Sequence, residues 1–325
     1  MQVLVVGGAG YIGSVTVDQL VDAGHDVTVI DSLIAGHQGA LSPDEEFVHA
    51  DVRDESVVDR LFAGHNFEAV INYGGYIQAG ESVRQPGRYF ANNIGGVIAV
   101  LNVMVNYDVL RFVFSSSAAV YGEPESVPIP EDAPTRPVNP YGETKATIER
   151  LLPWYERAFG LHYVCLRYFN AAGATETKGE DHRPETHLIP SVLQVALGQR
   201  PAISLFGTDY PTRDGTCVRD YIHVSDLATG HLLALDRTET ASGVYNLGSG
   251  KGFSNREVIE SARRVTGDPI RISEEPRRPG DPAELVASPD KARAELGWQI
   301  RYPELDEIID TAWRWHSAHP NGYAN

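Results

Sequence analysis

Residues 2–14, QVLVVGGAGYIGS, decide the fold class. A β-branched run leads into a glycine-rich turn, which is followed by a helical pattern over residues 14–24 and a second apolar run over residues 25–31. Strand, glycine turn, helix and strand form one βαβ unit. The spaced glycines let the turn bend sharply, approach a pyrophosphate with bare backbone and pack its helix against the strand. The stretch therefore predicts a dinucleotide-binding turn.

Two aspartates end the strands that follow this turn. Asp31 ends the second predicted strand, where its carboxylate can accept a hydrogen bond from a ribose 2′-hydroxyl and would repel a 2′-phosphate. No arginine directly follows it, so we expect NAD rather than NADP. Asp51 ends the third predicted strand, and its carboxylate could bind an adenine amine or cap a turn. The residues alone leave these two interpretations of Asp51 open.

Predicted strands and helices alternate as far as residue 168, and the strands are apolar throughout. This pattern is typical of a parallel sheet with helices on both faces, so we predict an α/β fold with a Rossmann-type doubly wound sheet. From residue 169 the chain becomes polar and rich in turns. We therefore predict an NAD-binding domain at 1–168 and a smaller, partly interleaved substrate lobe at 169–325. Segments near 219–248 are regular enough to return to the sheet.

The composition argues against several partners. The 325 residues carry 27 Lys and Arg against 44 Asp and Glu, a net charge of −17 that repels nucleic acid and anionic membranes. Two cysteines predict no disulfide framework, and the spacing of His182 and His187 predicts no metal site. We see neither a signal peptide nor an apolar run long enough to span a bilayer, and expect a cytoplasmic protein.

The stretch NPYGETKATIER, residues 139–150, places Tyr141 one helical turn before Lys145. The pair is either a surface decoration or a tyrosine prepared to act as a base. A free phenol has a pKa of ~10, so a base that works near neutrality needs a shift of ~3 units. The Lys145 ammonium and an oxidised nicotinamide nearby would both favour the phenolate. Because the pair lies downstream of a dinucleotide turn, we predict the base.

Ser117 ends the predicted strand that precedes this helix, in FSSSAAVYG at residues 114–122. Open α/β sheets place their ligands at the carboxyl ends of strands. Ser117 could therefore hydrogen-bond a substrate hydroxyl, or it could cap the next turn.

The sequence resembles the extended short-chain dehydrogenase/reductase family, and within it the nucleotide-sugar 4-epimerases. The resemblance covers nearly the whole chain. It rests on the turn GGAGYIGS, on NPYGETK, on LRYFNAAG at residues 166–173 and above all on residues 206–227. It implies an NAD-dependent isomerase that inverts C4 of a UDP-hexose, converting UDP-galactose to UDP-glucose and back through a 4-keto sugar. It also implies a homodimer formed through helices near 88–107 and 140–159.

The resemblance implies roles for individual residues. The catalytic residues are Ser117, Tyr141 and Lys145. The cofactor-binding residues are Gly7, Gly10, Tyr11, Ile12, Gly13, Asp31, Asp51, Val52, Tyr73, Gly74, Gly75, Asn92, Ser115, Tyr141, Lys145 and Phe169. The substrate-binding residues are Ser117, Tyr141, Asn170, His187, Leu188, Phe206, Arg219, Arg278, Asp281 and Leu285. One departure is Asn72, which stands where these enzymes usually have histidine.

Alternative activities within the same family differ at a few positions. A UDP-N-acetylhexosamine 4-epimerase is the first alternative, because Leu285 is intermediate in size where the resemblance places the wall of the sugar pocket. A dehydratase would need an acidic pair directly after Ser117, where this chain has Ala118 and Ala119. Methyl groups do no acid–base chemistry, so dehydration or reduction is disfavoured.

Overall fold

The computed structural model describes residues 1–278 and 280–324. Its strands are β1 (Gln2–Val6), β2 (Asp26–Asp31), β3 (Glu46–His49), β4 (Ala69–Asn72), β5 (Arg111–Ser115), β6 (His162–Tyr168), β7 (Asn170–Ala172), β8 (Ile203–Phe206), β9 (Val218–His223), β10 (Gly243–Leu247), β11 (Gly252–Ser254), β12 (Ile272–Glu275) and β13 (Glu284–Leu285). Its helices are α1 (Tyr11–Asp22), α2 (Glu55–Gly64), α3 (Ala79–Arg84), α4 (Pro86–Tyr89), α5 (Gly95–Asn106), α6 (Pro140–Phe159), α7 (Leu188–Ala196), α8 (Val224–Arg237), α9 (Asn255–Thr266), α10 (Asp290–Leu296) and α11 (Leu305–Ala318).

A seven-stranded parallel sheet, in the order β10-β6-β5-β4-β1-β2-β3, forms the centre of the molecule. Strand β1 shows why the strands of this sheet are apolar along their whole length. Leu4 and Val6 pack into the core with α2, α5 and α6, whereas Val3 and Val5 pack into the opposite core with α1 and α8. Both faces of the strand are therefore buried. The predicted Rossmann-type doubly wound sheet is confirmed.

The rest of the chain builds a second, smaller layer. Strand β9 pairs with β7, β11 and β13, and β8 pairs with β12, beneath helices α7, α9 and α11. The chain returns to the large sheet through α8 and β10. Helix α8 packs on the sheet, and β10 joins its edge beside β6. Residues 219–223, expected to belong to this return, pair instead within the smaller sheet. The division at residue 168 stays a prediction.

Helices α4 and α5 are continuous through a π-helical turn at Phe90–Ile94. The resulting helix, Pro86–Asn106, is long and apolar enough to cross a membrane on length and composition alone. The expectation that no apolar run could span a bilayer was therefore wrong on length. In the structure 50% of its apolar window is buried within the protein, against α2 and α6, as in the core helix of a globular domain.

Candidate active site

A cavity of about 1170 Å³ lies at the carboxyl edge of the large sheet, and the glycine turn forms one of its walls. Gly7 has φ +76°, in the left-handed region that favours glycine. A Cβ on Gly13 would lie 2.5 Å from the carbonyl oxygen of Gly7, so α1 can pack this closely only without a side chain there. No side chain caps the amino end of α1 at Gly10. The turn therefore presents bare backbone N–H groups, which suits a phosphate group.

The two strand-end aspartates both line this cavity, but their surroundings differ. Asp31 is 9% exposed, and its carboxylate accepts hydrogen bonds from the backbone N–H of Ala9 at 3.1 Å and of Leu33 at 2.8 Å. Burial raises the pKa of Asp31, while these two bonds oppose the rise. Asp51 is more exposed and pairs with the guanidinium of Arg53, whose hydrogen bonds lower the pKa of Asp51.

Ser117 and Tyr141 lie on neighbouring elements and both line the cavity. Ser117 follows β5 and accepts a hydrogen bond from Ala119 N at 3.2 Å, so it caps the next turn while also facing the cavity. Asn139 begins α6 by accepting a hydrogen bond from Gly142 N at 2.9 Å. Tyr141 is thereby held in the first turn of α6, and it is 8% exposed.

Lys145 lies one turn further along α6 and is fully enclosed, with 2% exposure. Its Nζ donates to the carbonyl oxygen of Ser115 at 2.8 Å and lies 6.0 Å from the centre of the Tyr141 ring. Burial lowers the pKa of Lys145 to about 8. Burial also raises the pKa of Tyr141, against a hydrogen bond from Ser117 that lowers it. Burial therefore opposes the phenolate, and the charge of an oxidised nicotinamide would favour it.

The opposite end of the cavity is lined by charged and aromatic side chains. The guanidinium carbon of Arg278 stacks 3.8 Å from the centre of the Phe206 ring. Arg219 lies on β9, and its Nη2 is 3.7 Å from Asp281 Oδ1. Forked guanidinium donors at this point suit a diphosphate or a carboxylate.

Most of the side chains that the sequence implicated meet in this one cavity. Those that line it are Gly7, Gly10, Tyr11, Ile12, Gly13, Asp31, Asp51, Val52, Tyr73, Gly74, Gly75, Asn92, Ser117, Tyr141, Phe169, Asn170, His187, Leu188, Phe206, Arg219, Arg278 and Asp281. Ser115, Lys145 and Leu285 are not among the described residues that line it. Leu285 instead packs against a buried cluster that includes Ala118 and Phe169, so its place on the pocket wall is not seen.

The family pattern is broken at Asn72, the last residue of β4. The contacts of Asn72 and of the three residues after it show what this change does to the cavity wall. Asn72 is 2% exposed, and its Nδ2 has no hydrogen-bond partner among the described residues. It lines the cavity, so its amide is a buried donor available to a ligand. Tyr73 is anchored by its hydroxyl, which donates to Thr16 Oγ1 at 2.6 Å. A Cβ on Gly74 would lie 3.0 Å from Val6 Cγ1, so this position favours glycine.

Sequence reasoning missed part of the cavity wall. Arg88 stacks 4.2 Å from the centre of the Tyr76 ring and pairs with Glu81, and all three residues line the cavity. His182 and His187, whose spacing predicts no metal site, meet Glu180 and Glu185 at the other end. These contacts arise from chain folding, and no spacing rule that we applied would have found them.

Comparison with known proteins places this arrangement in a family. The profile described as the NAD dependent epimerase/dehydratase family matches residues 3–248. The chain belongs to this family. The predicted resemblance is thereby confirmed, and the family's NAD dependence agrees with the glycine turn and Asp31.

Individual members of the epimerase/dehydratase family match over the full length. The UDP-glucose 4-epimerase of Halalkalibacterium halodurans is 54% identical over 328 residues, covering 100% of this chain and 98% of the relative. A crystal structure of a UDP-glucose 4-epimerase matches with TM-score 0.97 and 49% identity over 100% of both chains. The Bifidobacterium longum UDP-glucose 4-epimerase, in complex with NAD+ and UDP, matches with TM-score 0.95 and 39% identity over 99% of this chain and 100% of that one.

Proposed function

We propose that this chain interconverts UDP-galactose and UDP-glucose by inverting C4 of the hexose through a transient 4-keto sugar, with NAD as its cofactor. One observation carries the proposal. Tyr141 and Ser117 face a single cavity that has the glycine turn in its wall together with Arg219 and Arg278. At about 1170 Å³ the cavity exceeds the roughly 300–1,000 Å³ typical of one small ligand, as a dinucleotide and a nucleotide sugar together require. Relatives that match over the full length are UDP-glucose 4-epimerases.

The residues at the glycine turn fit NAD. Because Gly7 and Gly13 lack a Cβ, the turn packs closely against Gly74 and against itself, and a turn of this shape offers backbone N–H groups to a pyrophosphate. The Asp31 carboxylate lines the same cavity and suits the ribose hydroxyls. The unpartnered Asn72 amide adds a donor further along the same wall. When bound there, NAD would supply the reversible hydride transfer that inversion at C4 needs.

Tyr141 takes the proton from the 4-hydroxyl as that O–H bond breaks, and returns it when the alcohol is re-formed. Ser117 holds the same hydroxyl by a hydrogen bond, since it lines the cavity beside Tyr141. Lys145 acts from behind, because its ammonium is enclosed and fixed by the Ser115 carbonyl. Its positive charge favours the deprotonated state of the neighbouring phenol.

The nucleotide end anchors the substrate while the keto sugar turns. We assign the diphosphate to Arg219 and Arg278, whose forked donors match phosphate geometry. Other residues that line the cavity and that we assign to this end are Phe169, Asn170, His187, Leu188, Phe206 and Asp281. Because the anchor and the reacting carbon are held by different residues, the sugar can rotate without loss of the nucleotide.

Incubation of the purified chain with UDP-galactose, without added NAD, tests the proposal. We expect UDP-glucose to accumulate to equilibrium, detected by anion-exchange chromatography. Protein stripped of NAD should be inactive and recover on addition of NAD. If protein that circular dichroism shows to be folded forms no UDP-glucose either without or with added NAD, the assignment is refuted. The same assay with UDP-N-acetylgalactosamine measures whether the pocket also admits an acetamido group.

We also propose a homodimer formed through the outer faces of the helix Pro86–Asn106 and of α6, in the cytoplasm. Large apolar side chains stand exposed on these two helices, including Ile98 at 38%, Trp154 at 64% and Phe159 at 53%. Patches of this kind mark interaction surfaces. Light scattering should give twice the chain mass for the wild type and the chain mass for Ile98→Glu with Trp154→Glu. A wild-type monomer at micromolar concentration would contradict the proposal.

A further inference from the structure

The segment before α7 brings two histidines and two glutamates to one point. Glu180, His182, Glu185 and His187 each direct one ligand atom inward, and these atoms all lie within 4.8 Å of one another. Nδ1 of His182 is 3.1 Å from Glu180 Oε1, and Nδ1 of His187 is 2.6 Å from the same oxygen. Glu185 closes the group, with Oε1 3.2 Å from His187 Nδ1 and Oε2 3.9 Å from His182 Nδ1.

These separations are those of donor atoms around one small cation. Zinc bonds to imidazole nitrogen and carboxylate oxygen are about 2.0–2.2 Å, which places tetrahedral donor atoms about 3.3–3.5 Å apart. The four nitrogen–oxygen separations given above, which involve both oxygens of Glu185, run from 2.6 to 3.9 Å and bracket that value. Two nitrogen and two oxygen donors also match the ligand types that zinc and its neighbours in the transition series accept.

The charges of the group favour the same interpretation. The Glu180 and Glu185 side chains are 6% and 3% exposed, so two carboxylates lie close together away from water. One divalent cation placed among the four side chains would balance the charge of both carboxylates.

The carboxylate of Glu185 is also held in place by backbone N–H groups. The backbone N–H groups of Thr186 and His187 both donate to Glu185 Oε1 at 2.7 Å. The side chain of Arg200 donates to the Glu185 carbonyl at 3.0 Å, which fixes the backbone of the segment. Ligands positioned by such outer contacts are typical of metal centres.

We propose that Glu180, His182, Glu185 and His187 bind one divalent transition-metal ion of the zinc class. The ion joins residues 180 and 182 to residue 187, where α7 begins, and so fixes the segment that carries His187 and Leu188 to the cavity. The site is structural, and its occupancy does not depend on the reaction proposed above.

Zinc binding by the full chain tests this site directly. Protein freed of metal by a chelator is titrated with Zn²⁺ in competition with a chromophoric chelator, and its zinc content is then measured by plasma mass spectrometry. We expect one zinc per chain in the wild type and at least a tenfold weaker affinity in Glu180→Gln and in His182→Ala. His65→Ala is the matched control, because His65 forms a histidine–glutamate pair with Glu46 outside this group. It should bind zinc as the wild type does.

A second measurement does not depend on whether the variants fold. Co²⁺ added to the metal-free wild type should give the intense visible absorption of a tetrahedral nitrogen–oxygen site, and Zn²⁺ should abolish it. A wild type that takes up no zinc, or whose cobalt spectrum is that of the aqueous ion, would show that the group is only an ion-pair cluster. Equal zinc affinity in the wild type and in His182→Ala would overturn the proposal as well.

Discussion

At its cofactor end the cavity wall is a tight glycine turn, whereas at its nucleotide end the wall is assembled from side chains far apart in the sequence. The turn contributes Gly7, Gly10 and Gly13 from within seven consecutive residues. The other end takes Asn170 and Arg278, which are 108 positions apart. The glycine turn takes its shape from the absence of side chains. The nucleotide end depends on charged side chains such as Arg278.

This difference determines how each end can fail. Added atoms at the turn meet backbone, because a Cβ on Gly7 would lie 2.8 Å from Gly74 N. Backbone cannot move aside as a flexible side chain can, so overpacking should disrupt cofactor binding and folding together. At the nucleotide end, removal of a guanidinium leaves room for water, and affinity for the anionic substrate falls while the fold persists. Tyr141 lies between the two, where a change should slow the chemical step alone.

Tyr141→Phe should give the largest effect. Removal of the hydroxyl removes the proposed base, so we expect kcat to fall by roughly 10²–10⁴-fold, the usual contribution of a positioned acid–base group. NAD content and affinity for UDP should stay near those of the wild type, because both ends of the cavity are untouched. Tyr155→Phe is the control on the same helix, since the Tyr155 hydroxyl donates to Asn102 at 3.0 Å outside the cavity. Near-normal turnover of Tyr141→Phe would remove the base from the mechanism.

Arg219→Gln should weaken the nucleotide end and spare the cofactor end. Hydrogen bonds to charged groups contribute about 1.5–3 kcal/mol, so we expect roughly a 10- to 150-fold weaker affinity for UDP. Calorimetric titration with UDP measures it, and the NAD content of the same preparation should be unchanged. Arg213→Gln is the matched variant, because Arg213 pairs with Glu257 at the surface and does not line the cavity among the described residues. Equal losses in both variants would argue against a specific role for Arg219.

Gly13→Ala should weaken the cofactor end and spare the nucleotide end, the reverse of Arg219→Gln. Its Cβ would stand 2.5 Å from the Gly7 carbonyl oxygen, so the turn must shift, at a cost of about 1–3 kcal/mol in the free energy of unfolding. The purified variant should carry less NAD, measured by absorbance after acid release, while the apoprotein still binds UDP. Gly64→Ala is the control, since a Cβ at Gly64 meets nothing within 4 Å. A Gly13→Ala protein with full NAD content and wild-type stability would show that the turn is less constrained than its geometry implies.

The same contrast explains what could be predicted from the sequence. The glycine turn, Asp31 and the α6 pair Tyr141 and Lys145 are recognisable because the residues that act together lie within one βαβ unit or one helical turn. Helix α6 begins at Pro140 and ends at Phe159, where the resemblance implied a helix near 140–159. Contacts such as Arg278 on Phe206 join segments 72 positions apart, and only the resemblance to a family marked them beforehand.

Two features of the site depend on packing that residue spacing does not specify. The spacing of His182 and His187 gave no reason to pair them, yet the segment folds back so that both meet Glu180. The resemblance implies Leu285 on the wall of the sugar pocket. In the structure β13 pairs with β9, and the partly buried Leu285 side chain packs against the buried cluster that includes Phe169. Residue type and spacing do not specify which face of a short strand meets a cavity.

The smallest predicted effect is a pH dependence of the free energy of unfolding. It arises from a buried histidine, His231, beneath the cofactor end of the cavity. His231 is fully buried, accepts or donates at Ser115 Oγ over 2.8 Å, and packs on the rings of Tyr73 and Tyr168. Burial lowers the pKa of His231 from 6.5 to about 4, against a hydrogen bond to the Leu227 carbonyl. The unfolded chain therefore binds the proton more readily, and stability is lost as the pH falls from about 6.5 towards 4.

Between pH 7 and pH 5.5 this group should reduce the free energy of unfolding by about 1 kcal/mol. His231→Gln removes that contribution, so the difference in stability between wild type and variant should shrink by the same amount over this interval. Urea unfolding at the two pH values measures it. His162→Gln is the control, because His162 is half-buried and bonds the Thr238 carbonyl at 3.1 Å, away from the cavity. If the difference in stability between wild type and His231→Gln is constant with pH, burial does not hold the His231 imidazole neutral in the folded chain.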